Sequence, residues 1–278
     1  RGLQAQQRDG DGGSCEDAVG PTIPLLQTAC DAVKSAVTSF SGDLFNQFIR
    51  KLPNTREVVK DLLMVSLSSE ILATCKVEHG QKMGRDMLFL LCTFILQAIC
   101  CDILFSGFEM YLVQQCSPQF RKPEKVKKAL FKEYKACRGM MPQQLQTVDD
   151  MFAAFLQSKA SMFIQKLDRL LFTKAHLPPC EQQGQTIFNM ADSELGRGFA
   201  KMTKSVWLLM KLAFSFKPTA EVIRIPTGSM FDAEYMEDML QMYKAGSVHK
   251  DGHDIVTLMC FPGLTLRNNI IKSGVCVI

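Results

Sequence analysis

Tryptophan occurs once in this chain, histidine four times, and none of the eleven cysteines forms a Cys-x-x-Cys pair. Ribbon and finger zinc sites therefore have no support in the sequence. GxGxxG, Walker A, HExxH and GxSxG patterns are also missing, which removes the common signatures of dinucleotide, triphosphate, metalloprotease and hydrolase chemistry. No cofactor, metal or catalytic residue is expected, and the chain reads as a non-enzyme. No apolar run reaches the roughly 20 residues of a membrane span. The longest, Met87 to Cys101, is bracketed by Asp86 and Asp102, and Asp86, Thr93 and Gln97 share one helical stripe. It reads as a buried helix with a polar edge. The charge excess is also small, 32 basic against 28 acidic residues, or +4. That is too little to argue for nucleic acid as a partner. An odd number of cysteines in a chain this long is not a small disulfide scaffold. Cys92, Cys100 and Cys101 lie in apolar sequence and read as buried thiols of a reducing cytosol.

What is present is apolar substance. A hydrophobic fraction of 47% over 278 residues fills a large core. Residues 1–20 are polar and aperiodic, a disordered leader, and the chain opens on Arg1 as a fragment or trimmed product would. The remainder, 21–278, reads as a single domain. Ala29, Val33, Ala36, Val37, Phe40, Leu44 and Phe48 recur at helical spacing, loosened at Gly42 and stopped by Pro53. Asn54 to Glu57 resembles a capping box opening a second helix, with Val58, Leu62, Ile71 and Leu72 inward. Another helix runs from about Asp149, an acid suited to a helix start, to Phe172, with Phe152, Phe155, Met162, Phe163, Leu167 and Leu170 facing in. His176 to Gly184 is a loop. Ala191 to Phe216 is a long helix, apolar except for a thin stripe of Lys201, Thr203, Lys204, Ser205, Lys211 and Ser215. Such a helix is the central post of a bundle. β signals come only afterwards, at Ala220–Ile225, Ile255–Phe261 and Ile270–Ile278. The expected fold is mainly α, a multi-helix bundle with a small C-terminal β-sheet over about 220–278.

Two stretches invite a functional reading. Residues 121–135, RKPEKVKKALFKEYK, hold seven basic and two acidic side chains. A solvated helix face is the plain account. The functional one makes Lys125, Lys127, Lys128 and Lys132 a contact for an acidic protein partner or anionic lipid. The run does not interleave its lysines with aromatics as single-strand nucleic-acid binders do. In the second stretch, RIPTGSMFDAEYMED from Arg224, a β-like run enters a glycine turn. An acidic helix bearing Glu234, Glu237 and Asp238 is expected to follow. Phe231 and Met236 would form a staple around Asp232 as N-cap, and the acids would repel any phosphate. This is architecture rather than a site. His249 and His253 are spaced i, i+4, but Asp251-Gly252 between them favours a turn over a metal-binding helix.

Ordered signatures then carry a resemblance. Ser205-Val206-Trp207-Leu208-Leu209-Met210-Lys211-Leu212-Ala213-Phe214-Ser215-Phe216, followed by Pro218, resembles the SVWLLHRLAYSFDP-type segment of a plant family. Gly228-Ser229-Met230-Phe231-Asp232-Ala233-Glu234-Tyr235-Met236-Glu237-Asp238 is similar to its KxGSxFSxxYMESV. Cys260-Phe261-Pro262-Gly263, then Ile270 to Val275, follow the order of its VMPGFxIGxxVIQSxVYL ending. Weaker likenesses lie upstream, at Phe105-Ser106-Gly107-Phe108-Glu109 and at Phe152, Phe155 and Lys159. Leu156, Gln157 and Ala160 depart from that last motif, and Met210 stands where the family often has histidine.

The chain thus resembles a divergent member of the gravitropic-in-the-light and IRK-interacting protein family. Trp207, Pro218, Gly228, Phe231, Tyr235, Met236, Glu237, Pro262 and Gly263 are its signature positions here. The resemblance implies a cytoplasmic regulatory adaptor without catalysis, in light-modulated gravitropism downstream of phytochrome or in receptor-kinase signalling. The implied partner is a receptor-like kinase or a light-signalling component. The alternative is a peripheral adaptor at the plasma membrane, binding anionic lipid through 121–135. A free edge of the C-terminal sheet is a second expected contact, by strand addition.

Overall fold

A computed structural model describes residues 20–47, 49–51, 62, 85–107, 123–172, 193–241 and 254–277. Helix α1 spans Ile23–Gln47, and a short 3-10 turn, Ile49–Lys51, follows. Helix α2 spans Arg85–Phe105, α3 Pro123–Arg138, α4 Pro142–Val148, α5 Asp150–Phe172 and α6 Glu194–Ser215. The expected capping box at Asn54, the inward positions Phe48, Val58, Ile71 and Leu72, the loop 176–184 and the His249–His253 pair lie outside the described residues. Leu62 is described, and it is buried.

The helical periodicities hold up. In α1, Leu26, Ala29, Cys30, Val33, Val37, Phe40 and Leu44 are buried on one face, and the helix runs unbroken through Gly42. Helix α6 is the central post. It packs against α1, α3 and α5, and is capped at its start by Ser193, whose hydroxyl accepts from the Gly196 N–H at 2.9 Å. Aromatic rings lock the posts together. Phe40 of α1, Phe163 of α5 and Phe199 of α6 meet with centroids 5.3–5.6 Å apart. Trp207 lies against Phe152 and Phe155. Each such pair adds about 1 kcal/mol beyond the area it buries. One inward assignment fails: Met162 is 40% exposed. The buried stripe of α5 runs through Phe152, Phe155, Lys159, Phe163 and Leu167, and Met162 falls at its margin, beside exposed Ser161.

The Met87–Cys101 stretch is the buried helix expected, α2, and Gln97 on its stripe is itself buried. No helix among the described residues is long and apolar enough to cross a membrane.

The C-terminal region folds as two small sheets rather than one. The first pairs β1 (Glu221–Ile223), β4 (Gly263–Leu266) and β5 (Asn269–Ile271), in the order β1-β4-β5, all antiparallel. The second orders β2 (Met236–Asp238), β6 (Ser273–Val277) and β3 (Val256–Phe261), with β2 parallel to β6. Strand β6 is buried on both faces. Cys276 joins the main core, while Val275 and Val277 join a smaller cluster with Met236 and Val256, against which Ile225, Phe231 and Met259 pack.

Here the sequence reading needs correction. Glu234, Glu237 and Asp238 do not stand on a helix. Residues 233–235 form a turn, and Met236–Asp238 is a strand. Asp232 still serves its backbone: its Oδ1 accepts from Glu234 N–H at 2.8 Å, and its carbonyl from Tyr235 and Met236 N–H. The chain then leaves the turn to pair with β6 instead of winding on. Ile225 and Phe231 of this segment pack against the smaller cluster, so the segment lies over the second sheet as a lid. Gly228 has φ +88°, a conformation that favours glycine at this turn.

Gly263 is needed for another reason. A Cβ there would lie 2.5 Å from the Ile271 carbonyl oxygen and 2.7 Å from Ser273 Oγ, which accepts the Gly263 N–H at 2.8 Å. Backbone crowding of that kind has no rotamer to relieve it. Gly263→Ala is expected to destabilise the fold by about 2 kcal/mol, read as a lower urea midpoint at unchanged slope. An unchanged midpoint would refute the close approach.

Candidate interaction surface

Helix α3 begins with Pro123, whose missing N–H costs nothing at a helix start, and Glu124 follows in the first turn. Lys135 and Arg138 sit in the last turn, where the helix dipole favours cations. Its inner face is Leu130, Tyr134 and Cys137, all buried, with Phe131 packed against the core. The aromatics of the basic run thus serve the interior. Lys125, Lys128 and Lys132, at i, i+3 and i+7, are exposed, and none makes a hydrogen bond or ion pair with the described residues.

Lys127 differs from these three. It is half-buried, and its ammonium donates to the Phe216 carbonyl at 2.5 Å and to Thr219 Oγ1 at 3.3 Å. Burial, and then the nearby Lys217 charge, push its pKa down. The last carbonyls of a helix have no partner within it, and Lys127 supplies one for the end of α6. The same device recurs. Lys159, 2% exposed, donates to the Ile103 and Ser106 carbonyls at the end of α2, at 2.8 and 2.5 Å. Lys204 donates to the Arg138 and Met140 carbonyls at the end of α3. Three helix ends are therefore closed by a lysine from a different helix.

A fourth lysine forms a mixed-charge knot in the bundle centre. Lys211 on α6 is 3% exposed. Its Nζ lies 2.6 Å from Glu133 Oε2, 3.5 Å from Asp149 Oδ2 and 4.9 Å from the centre of the Trp207 ring. Asp149 holds three partners. Oδ1 accepts from the Phe152 N–H at 2.9 Å, capping α5 as its place in the sequence suggested, and Oδ2 accepts from Trp207 Nε1 at 3.2 Å. Sequence reasoning put Lys211 on the polar stripe of the long helix but did not bring it to Asp149 and Trp207. The available signal was a single charge, Lys211, flanked by Met210 and Leu212 in an apolar helix.

The thiols are closed off. Cys30, Cys92, Cys100, Cys101, Cys137, Cys260 and Cys276 are buried and unbridged. Burial pushes those of Cys30, Cys92 and Cys100 up to about 12, so none is an activated nucleophile. Among the described residues no group of three His, Cys, Asp or Glu is placed to hold a metal ion.

The sheet edges are blunt. β1, β2 and β5 have three residues each, and the start of β3 is bonded to the lid through Gly228 N–H to the Val256 carbonyl and Val256 N–H to the Ser229 carbonyl, both at 2.8 Å. Short or covered edges are poor templates for an added strand. Of the other signature positions, Trp207 and Met236 are buried and Phe231 and Pro262 half-buried. Tyr235 is 39% exposed, and Pro218 follows a cis peptide bond. Glu237 is exposed and pairs with Lys34 of α1 at 3.5 Å. Arg224 ties the first sheet to α2 through the Phe105 carbonyl at 2.8 Å.

No protein-family model matches the chain, and no solved structure matches it. Two curated proteins of Arabidopsis thaliana do. "Protein GRAVITROPIC IN THE LIGHT 1" is 24% identical over 270 residues, 94% of this chain and 47% of the relative. "IRK-interacting protein" is 26% identical over 186 residues, 65% of this chain and 30% of the relative. The chain therefore spans about half the length of the first and less than a third of the second. It is a divergent relative of these two plant proteins.

Proposed function

We propose that this chain is a non-enzymatic adaptor that binds a protein partner through the exposed face of α3, in light-modulated gravitropism or receptor-kinase signalling. The observation that carries the reading is a division of labour among lysines. Lys127, Lys159, Lys204 and Lys211 are each committed to a helix end or a buried ion pair. Lys125, Lys128 and Lys132 have no such duty among the described residues, yet they stand in one line on one helix face. The names of the two relatives supply the setting, and the second supplies a kinase as the class of partner. The site of action is the cytoplasm, with the plasma membrane as the place where a receptor kinase would be met.

The test is affinity purification from plant cells, with soluble and membrane fractions kept apart. The wild-type chain is run beside Lys125→Glu/Lys128→Glu/Lys132→Glu. Lys127 is left intact because its loss would uncap α6. A signalling partner recovered with the wild type and lost with the variant is the expected result. Equal recovery with both would sink the α3 surface. Recovery in the membrane fraction with no protein partner would give the same lysines to anionic lipid instead.

A further inference from the structure

The free lysines of α3 have neighbours from two other parts of the chain. Glu124, at the start of α3, pairs with Lys217 at 2.6 Å, and both side chains are largely exposed. That bond and the Lys217 charge, with a smaller push from Lys128, hold the Glu124 carboxyl below its usual range. The Lys217 carbonyl accepts from Arg267 Nη2 at 2.5 Å. Arg267 belongs to the two-residue turn between β4 and β5. The end of α6, the start of α3 and this hairpin tip therefore meet at Lys217, which bonds Glu124 through its ammonium and Arg267 through its carbonyl, and Lys125 and Lys128 lie exposed on the first turns of α3.

Arg267 also has an unusual backbone. Its φ is +56°, the one positive φ at a residue other than glycine among the described residues. Two-residue hairpin turns favour asparagine or glycine in this conformation, and arginine is disfavoured there. Strain kept at an exposed side chain points from geometry to use. The turn alone would be better served by glycine. What arginine adds is a guanidinium that ties the hairpin tip to the Lys217 carbonyl through Nη2 and leaves its remaining N–H groups at the surface for a carboxylate.

We infer that Lys125, Lys128 and Arg267, braced by the Lys217–Glu124 pair, form one composite dock for an acidic peptide segment of the partner protein. This rests on the α3 reading above and gives it a ligand chemistry. A peptide is favoured over a bilayer by what the patch lacks. Among the described residues the exposed large apolar side chains are Ile23, Met141, Val148, Met162, Met230, Tyr235 and Ile255, and none lies on α3 or at the β4–β5 turn. A membrane-surface helix needs such residues to insert. Glu124 within the patch would meet an anionic surface with repulsion, whereas a peptide can pass beside it.

The experiment is fluorescence anisotropy of a labelled glutamate-rich peptide titrated with the full chain, with cosedimentation on phosphatidylserine vesicles alongside. The variants are Arg267→Gly, Arg267→Lys and Lys125→Glu/Lys128→Glu. Arg267→Gly relieves the turn but gives up the bond to the Lys217 carbonyl, so its urea midpoint should stay close to that of the wild type while peptide affinity falls about tenfold. Arg267→Lys should recover part of that loss, and the double lysine variant should not bind. Arg267→Gly binding as tightly as the wild type, with the lysine variant inactive, would overturn the composite dock and leave the α3 surface standing. Wild-type chain that pellets with vesicles but ignores the peptide would overturn it in favour of lipid. Wild-type chain that binds neither would overturn the dock and take the charge argument for α3 with it.

Discussion

Between about pH 9 and pH 10 the folded chain is expected to lose a few kcal/mol of stability. The cause is its buried thiols. Burial raises Cys30, Cys92 and Cys100 from an ordinary 9.0 to about 12, and lifts Cys101 and Cys260 well above 9.0. In the unfolded chain these thiols ionise near pH 9, while in the folded chain they keep their protons. The folded state then binds more protons, so stability falls with rising pH from about 9 to about 12. Each such thiol costs about 1 kcal/mol from about pH 9 to pH 10. Lys159 opposes them. Its burial lowers its pKa from 10.5 to about 8, with the Asp102 charge working the other way and Arg224 adding to the fall. Its folded form sheds its proton first, so it restores stability between about pH 8 and 10.5, by about 2–3 kcal/mol. Lys127 and Lys204 shift in the same direction as Lys159. The thiols win because five act together and because their loss continues after the lysine gain has saturated. Against a total of about 5–15 kcal/mol for a domain, the net loss is large. Urea midpoints under reductant at about pH 8, 9 and 10 would show a fall across the last step. A midpoint that holds or rises there would contradict the burial of the thiols.

Lys211→Ala is expected to destabilise the bundle by about 3 kcal/mol. Asp149 is only 17% exposed at its side chain, and without Lys211 it loses the ion pair that sits beside its bond to Trp207. Glu133 is nearly half exposed, so water screens its share despite the shorter distance. Most of the effect should therefore come from Asp149. The pair Lys211→Met/Asp149→Asn separates charge from shape. Asparagine can still cap α5 through its one carbonyl oxygen but gives up the Trp207 bond, where its amide is a second donor, and methionine keeps the apolar stem. Removing both charges together should recover part of the loss, less the lost Trp207 bond, since a matched buried pair is often replaceable while a broken one is not. Guanidinium denaturation of the single and double variants reads this directly. A single variant within about 0.5 kcal/mol of wild type would mean that Lys211 is bonded but unimportant.

The helices were legible because their apolar spacing is strong. Ala29 through Leu44 and Phe152 through Leu167 repeat every three or four residues, and burial follows that repeat. The β2 segment was not legible. Ala233, Glu234, Met236 and Glu237 are helix formers, but a parallel partner supplied from 37 positions later, Ser273 opposite Met236, decides otherwise. The split into two sheets was hidden too, because Pro262-Gly263 and Arg267-Asn268 punctuate strands too short to show a period. At the candidate surface, sequence found the basic run but gave all four lysines one role. Only the fold shows that Lys127 is spent on the end of α6, and that Arg267, far along the chain from α3, bonds the Lys217 carbonyl next to the start of that helix. Buried cations leave no trace in periodicity, since what marks Lys159 and Lys211 is the partner and not the spacing.

The most direct test of the adaptor account is the affinity of the purified chain for the purified cytoplasmic part of a plant receptor kinase, measured at low and high salt. The account predicts binding that weakens with salt and is lost when Lys125, Lys128 and Lys132 are changed together to glutamate. Binding that ignores both the salt and the substitution would place the contact elsewhere on the molecule and contradict the account.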